Sequence, residues 1–212
     1  MRSIRIGNYD TYDDFNLILI GKKIGTPKVK RKTISIEGAD SELDYTEFFG
    51  EPKYDNRTLD FKFQLLSAPA DFIDVHSRVA NALNGQKVNI VLPDEPDFYY
   101  VGRVEVSDLE TEKNQAFFEI SCDCEPYKYK ENVTVVSQAV SGSATIVLDN
   151  LRKRAVPTIT TDAEFTFTWG KFSATVAAGT FLLPELELVA GSNTVTVTGT
   201  GNVAFEYQEG SM

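Results

Sequence analysis

The sequence predicts a mainly β protein with one packed α-helix, and three observations support this prediction. Apolar residues recur at every second position in segments such as residues 33–36 and 59–65, which places them on one face of a strand. The chain carries 14 Phe and 9 Tyr, and both residue types favour strands. Residues 71–84 instead show the 3-4 spacing of a buried helical stripe.

The first half of the chain divides into strands around this helix. Residues 1–24 predict a pair of strands with a polar turn, and residues 33–66 predict a strand–turn–strand block. Asp71 is the expected N-cap of the helix, whose buried stripe is Phe72, Val75, Val79 and Leu83, and Asn84-Gly85 is its expected end. Three further strands are expected at residues 87–92, 98–106 and 115–124.

The composition shifts near residue 126, which predicts two domains, residues 1–130 and 131–212, with a linker at residues 128–132. The second part is rich in Thr and Val. Short alternating strands without a helix predict a β-sandwich there. Its expected strands are residues 144–148, 158–160, 164–168, 172–176, 185–189, 194–197 and 203–207, with a glycine-bearing turn at residues 199–201.

Charge and hydropathy restrict the function classes. The formal net charge is −10, which disfavours nucleic-acid binding because phosphate is repelled. The basic run at residues 28–32 is interpreted as a solvated strand or arm with outward lysines. The most apolar run, residues 17–20, is far shorter than the ~20 residues of a membrane span. No signal peptide is recognised, so we expect folding in a cytoplasm.

The sequence offers little chemistry, so we expect no enzyme, no cofactor and no metal site. It contains none of the G-x-S-x-G, P-loop, H-E-x-x-H or G-x-G-x-x-G patterns. Cys122 and Cys124 are expected as reduced thiols on one face of a strand, and His76 as a partly buried structural residue. The acidic turn at residues 94–97 lacks the spacing of a calcium loop. A carboxylate pair of the glycosidase type is not excluded, but no residue pattern indicates one.

Trp169, the single Trp, is the only candidate ligand-binding residue. One interpretation is a stacking platform for a sugar ring, and the other is packing near a strand end of the sandwich. The second interpretation is favoured.

The order of these segments resembles the distal tail protein (Dit) family of long-tailed, siphovirus-type bacteriophages and related prophages. The resemblance lies in residues 34–40, 43–44, 49–50, 54, 56–57, 59–63, 83–85, 88–97, 99–102, 117–124, 155–159, 186–195, 203–207 and 209–211. Residues 152–154, Arg-Lys-Arg, depart from it, because a Gly- or Asn-rich turn is common there in the family.

The resemblance implies a structural virion protein at the tail tip, assembled in the cytoplasm of the bacterial host. The family's N-terminal domain has a tail-tube-like β-sandwich or barrel with a helix and forms a hexameric ring, the baseplate hub. Its C-terminal domain is a galectin-like β-sandwich. The implied partners are further copies of the chain, the tail tube protein, the tape measure protein and the tail-associated (Tal) protein, with a receptor-binding protein on the C-terminal domain in some phages.

Two function classes therefore remain open at this point. The first is an assembly protein that joins the tail tube to the host-adsorption apparatus. The second is a carbohydrate-binding sandwich that recognises a host surface saccharide directly, for which an exposed aromatic residue with polar neighbours is the expected feature.

Overall fold

The computed structural model describes residues 3–48 and 50–212 and is built mainly from strands, as predicted. The chain divides into two compact units, Met1–Pro126 and Tyr127–Met212. The helix of the first unit is α1 (Phe72–Leu83), preceded by a 3₁₀ turn at Pro69–Asp71. The strands are β1 (Arg5–Ile6), β2 (Tyr9–Asp10), β3 (Leu17–Ile24), β4 (Thr33–Ile34), β5 (Leu43–Asp44), β6 (Arg57–Leu65), β7 (Lys87–Val91), β8 (Phe98–Val106), β9 (Glu110–Glu112) and β10 (Gln115–Lys130).

The first unit is a curled sheet whose inner face packs on the helix. Its strand order is β2-β1-β7-β8-β10-β6-β3, and β9 pairs with β10. In β6, every second residue is buried, and Leu59, Phe61 and Phe63 are fully inaccessible. Each such side chain stabilises the fold by roughly 1.5–3 kcal/mol on burial. The alternating apolar residues that predicted this strand therefore also form part of the core of the unit.

The helix forms where its stripe predicted it. Phe72, Val75, Val79 and Leu83 are its buried residues, and they join the core formed by the sheet. Asp71 occupies the expected N-cap position, but its side chain makes no capping hydrogen bond. Gly85 follows the C-cap with φ +76°, a left-handed conformation that glycine adopts without strain.

The second unit contains a long antiparallel ladder of two strands, flanked by short strands. Its strands are β11 (Thr134–Asn150), β12 (Thr158–Thr161), β13 (Phe165–Trp169), β14 (Phe172–Val176), β15 (Gly179–Leu182), β16 (Gly191–Tyr207) and β17 (Gly210–Ser211). The sheet order is β14-β13-β16-β12-β15, and β11 pairs with β16 along its whole length. Strand β17 pairs with the end of β10 through Tyr129 and Gly210. The core of this unit includes Phe165, Phe167, Val197 and Phe205.

Along the edge opposite β11, strand β16 pairs with two different strands. Residues 196–199 pair with β13, and residues 203–206 pair with β12. Gly199 ends the first set and Gly201 lies between the two sets, and Gly142 pairs with Gly199 in the β11–β16 ladder. The expected turn at residues 199–201 is therefore wrong, because these glycines bend one continuous strand instead of separating two.

Two further expectations differ from the structure. The linker expected at residues 128–132 is wrong at its start, because β10 continues through Pro126 to Lys130. The strand expected at residues 185–189 is reduced to a single bridge between Ala155 and Leu188. Leu186 and Leu188 are fully buried, so the alternation correctly indicated burial. Pairing is limited because the Leu186 N–H donates to the Leu183 carbonyl in a turn.

Candidate functional site

The two cysteines are buried neighbours on the inner face of β10. Cys122 and Cys124 are free thiols with no accessible surface, which confirms the prediction of reduced thiols in the sheet. Burial raises the pKa of Cys122 and raises that of Cys124 to about 12. Because the thiolate is the nucleophile and the metal ligand, these thiols are inert at neutral pH.

His76 is a structural residue, as predicted. Its Nε2–H donates to the carbonyl of Ser107 at 2.9 Å, and its ring meets Phe118 edge-on with centroids 5.3 Å apart. These contacts hold α1 to the strands beneath it.

The acidic turn after β7 makes structural contacts. Asp94 pairs with Lys22 of β3, and Glu95 accepts a hydrogen bond from the Tyr100 hydroxyl at 3.0 Å. Across residues 3–48 and 50–212, no group of three or more His, Cys, Asp or Glu side chains could hold a metal ion. No helix in that part of the chain is long and apolar enough to cross a membrane.

Trp169 lies at the end of β13, where it pairs with Phe172 of β14. Its side chain is partly buried and packs against the core of the second unit. This position is the strand-end packing that the sequence favoured. The sugar-platform role of Trp169 stays a prediction.

The most conspicuous surface feature of the first unit is an arm, which we define as residues 26–56 between β3 and β6. Its two halves form an antiparallel ribbon in which β4 pairs with β5 and Val29 bridges to Tyr54. Nearly all its described residues are at least partly exposed, and Pro27 is buried. Phe49 lies outside the described residues. The basic run at residues 28–32 forms one side of the ribbon, in agreement with the predicted solvated arm.

The arm carries apolar side chains that it cannot bury by itself. Ile34 and Leu43 lie directly opposite each other in the ribbon and are 50% and 53% exposed. Val29, Ile36 and Phe48 are also exposed. A two-stranded ribbon has no core of its own and is marginally stable in water. Clustered exposed apolar residues of this kind are typical of a surface that contacts another protein.

Arg57 fixes the base of the arm. It is buried to 7% exposure, and its Nε–H donates to the carbonyl of Gly25 at 2.8 Å, which joins the two ends of the arm. The guanidinium carbon lies 5.2 Å from the centroid of the Tyr100 ring. Gly25 is required at this close approach, because a Cβ there would lie 2.7 Å from the carbonyl oxygen of Thr58. No pattern in the sequence predicts this contact, since Gly25 and Arg57 are distant along the chain.

The comparisons with known proteins find a similar solved structure but no match by sequence. No family model and no curated protein sequence matches the chain. Among solved structures, the crystal structure of phage SPP1 Dit (gp 19.1) is similar at a TM-score of 0.71 and 15% identity, over 100% of both chains. That protein is described as a paradigm of the hub adsorption apparatus in phages that infect Gram-positive hosts. The chain thus has a mainly β, Dit-like fold over its full length, as the resemblance in its sequence implied.

Proposed function

We propose that this chain is a phage tail-tip protein that forms a six-membered ring, the hub that joins the tail tube to the host-adsorption apparatus. The observation that carries the proposal is the likeness to SPP1 Dit, which extends over all of both chains. A match confined to one unit would support a shared module only. A match over both units supports a shared role, because the arrangement of elements along the whole chain is retained.

The arm supports assembly from copies of the same chain. Ring formation needs a heterologous contact, in which one patch of a subunit meets a different patch of the next. The exposed Ile34–Leu43 pair supplies the first patch, and burying it on a neighbour would remove apolar surface from water. The Arg57–Gly25 contact presents the arm in one direction, which lowers the entropic cost of docking.

The proposed partners follow from this role. They are further copies of the chain, the tail tube protein, the tape measure protein and the tail-associated protein, with a receptor-binding protein on the second unit. That unit would have a galectin-like sandwich, and the first a tail-tube-like one. We propose a location at the virion tail tip after assembly in the host cytoplasm, and no catalytic role.

The test is the solution mass of the purified chain by light scattering, followed by negative-stain electron microscopy. The expected result is a ring near six times the 23.6 kDa of one chain. The double variant Ile34→Ser/Leu43→Ser should shift the mass toward one chain. Its matched control, Val147→Ser/Leu182→Ser, removes apolar side chains of similar exposure from the second unit and should keep the ring. A wild-type chain that stays monomeric at about 100 μM would contradict the self-assembling ring.

A further inference from the structure

The outer face of the second unit contains a groove of about 310 Å³, lined by both polar and apolar groups. It lies where β11, β16 and β12 run side by side. Ala204 of β16 is flanked by Ser137 of β11 and Thr160 of β12, and Ala139 lies opposite Asn202. The two alanines are small, so the hydroxyl-bearing neighbours stand above them and form the sides of the groove.

One wall of the groove is a fixed carboxylate–amide pair. Oδ1 of Asp162 accepts the backbone N–H of Asn202 at 2.6 Å, and Oδ2 accepts the Asn202 side-chain N–H at 2.7 Å. These bonds lower the pKa of Asp162, so the carboxylate is ionised at neutral pH. Each carboxylate oxygen keeps further acceptor capacity, and the Asn202 amide oxygen is also an acceptor.

Gly201 makes this pair possible. A Cβ at position 201 would lie 2.3 Å from Oδ1 of Asp162 and 3.1 Å from Cβ of Ala163. Any larger residue would therefore push the carboxylate away from Asn202. Because Gly201 has no side chain, the carboxylate of Asp162, which follows β12, can occupy the space beside β16.

The lining selects one class of ligand. An anion is disfavoured by Asp162, since no Lys or Arg is found among the described residues that line the groove. A divalent cation is disfavoured because a single carboxylate lines it, whereas Ca²⁺ takes six to eight oxygen ligands as a rule. Hydroxyl, amide and carboxylate groups over an alanine floor suit a neutral molecule that both donates and accepts hydrogen bonds.

We propose that this groove is a binding subsite for a neutral saccharide. Vicinal sugar hydroxyls would donate to Asp162 and to the Asn202 amide oxygen, and would accept from Ser137 and Thr160. The C–H face of the ring would lie on Ala139 and Ala204. The groove has no aromatic side chain in the part of the chain that the structure describes, so we expect weak binding, with a dissociation constant on the order of 1 mM for one sugar unit. This inference does not depend on the proposed ring.

The test is saturation-transfer NMR on the full chain with three probes, the methyl glycosides of glucose, galactose and N-acetylglucosamine. At least one should bind saturably. Asp162→Asn removes the carboxylate, and Ala204→Leu fills the floor without touching Asp162. Each should weaken binding at least tenfold.

Two matched controls separate binding from folding. Asp44→Asn removes a carboxylate that is likewise bonded to a backbone N–H, that of Thr46, but lies in the arm. Thr198→Leu introduces the same leucine on an exposed position of the same strand, outside the groove. Both controls should bind like the wild type. If none of the three probes binds, or if binding is unchanged in Ala204→Leu, the proposal is overturned. Ala204→Leu decides the matter alone if Asp162→Asn does not fold.

Discussion

The hydroxyl of Tyr207 donates a hydrogen bond to the backbone carbonyl of Asp149 at 2.6 Å, although the two residues belong to opposite ends of one ladder. Tyr207 pairs with Thr134, whereas Asp149 pairs with Ser192. A straight strand would separate residues 134 and 149 by about 50 Å at ~3.4 Å per residue. The β11–β16 ladder therefore curls back on itself, and this hydrogen bond joins its two ends.

Removing that hydroxyl should loosen the second unit. We expect Tyr207→Phe to lower the free energy of unfolding by about 1–2 kcal/mol, because the Asp149 carbonyl loses its donor. Urea unfolding followed by Trp169 fluorescence measures this, since the single Trp packs on the core of that unit. Tyr129→Phe is the control. Its hydroxyl accepts from the Lys153 ammonium, which water can solvate instead, so a smaller loss is expected. Equal losses in both variants would contradict a special role for Tyr207.

Gly199 should tolerate no side chain. A Cβ there would lie 2.4 Å from Cδ1 of the buried Phe165 and 2.7 Å from the Glu164 carbonyl oxygen. We expect Gly199→Ala to cost about 2–4 kcal/mol, through overpacking and through its φ of +158°. Gly142→Ala, on the paired residue, has φ +89° but no atom within 4 Å of the new Cβ, so it isolates the backbone cost. If both variants lose the same stability in urea, the clash with Phe165 is not the cause.

These glycines show where prediction from the sequence succeeds and where it stops. The stripe of Phe72, Val75, Val79 and Leu83 was sufficient to place the helix, because its residues are local and periodic. Residues 199–201 have turn composition, but their conformation is set by Phe165 and Gly142, which are distant along the chain. Local propensity therefore predicted a turn where tertiary pairing produces a bent strand.

Arg57 should stabilise the first unit more than an exposed arginine with the same bond. Arg57→Met removes the donor to Gly25 and should cost about 2 kcal/mol, in the range for a charged hydrogen bond in a buried site. In the control, Arg103→Met, the lost bond is to the Gly85 carbonyl at an exposed position, and less than 0.5 kcal/mol is expected. Thermal unfolding followed by circular dichroism compares them. A variant of Arg57 that unfolds at the wild-type temperature would contradict its role at the base of the arm.

The buried thiols should make the first unit sensitive to alkali. Burial raises the pKa of Cys124 from 9.0 to about 12 in the folded chain. The stabilisation is complete below pH ~9 and is lost as the pH rises toward 12, because the unfolded thiol ionises first. Between pH 8 and 10.5, we expect a loss of about 2 kcal/mol from this residue.

Urea unfolding of wild type and Cys124→Ala at both pH values tests this, and the variant should show a smaller pH dependence. Glu119→Ala removes an exposed charge on the same strand that does not contribute to the raised pKa of Cys124, and it is the control for local disruption. Rapid alkylation of the native chain by iodoacetamide at pH 8 would contradict the buried, protonated state.

For the candidate sites, as for the fold, prediction succeeded where the signal is local in the sequence and failed where it depends on tertiary pairing. The buried free cysteines and the structural His76 were predictable, because residue type and spacing gave little support for a zinc site or for His-dependent chemistry. The groove was not, because Asp162 and Asn202 meet only after β12 has paired with β16. Neither residue lies in a motif, and Gly201, which admits the carboxylate, resembles any turn glycine in the sequence.

The β11–β16 ladder also determines when the second unit can fold during synthesis. Its residues pair across gaps that run from 41 positions, Asn150 to Gly191, to 73 positions, Thr134 to Tyr207. At ribosomal rates of about 5–20 residues per second, β11 emerges roughly 2–15 s before its partner. During that interval the strand is exposed without its ladder, and its Ser, Thr and Gly residues limit its tendency to aggregate. The second unit therefore cannot complete this ladder until β16 has been synthesised.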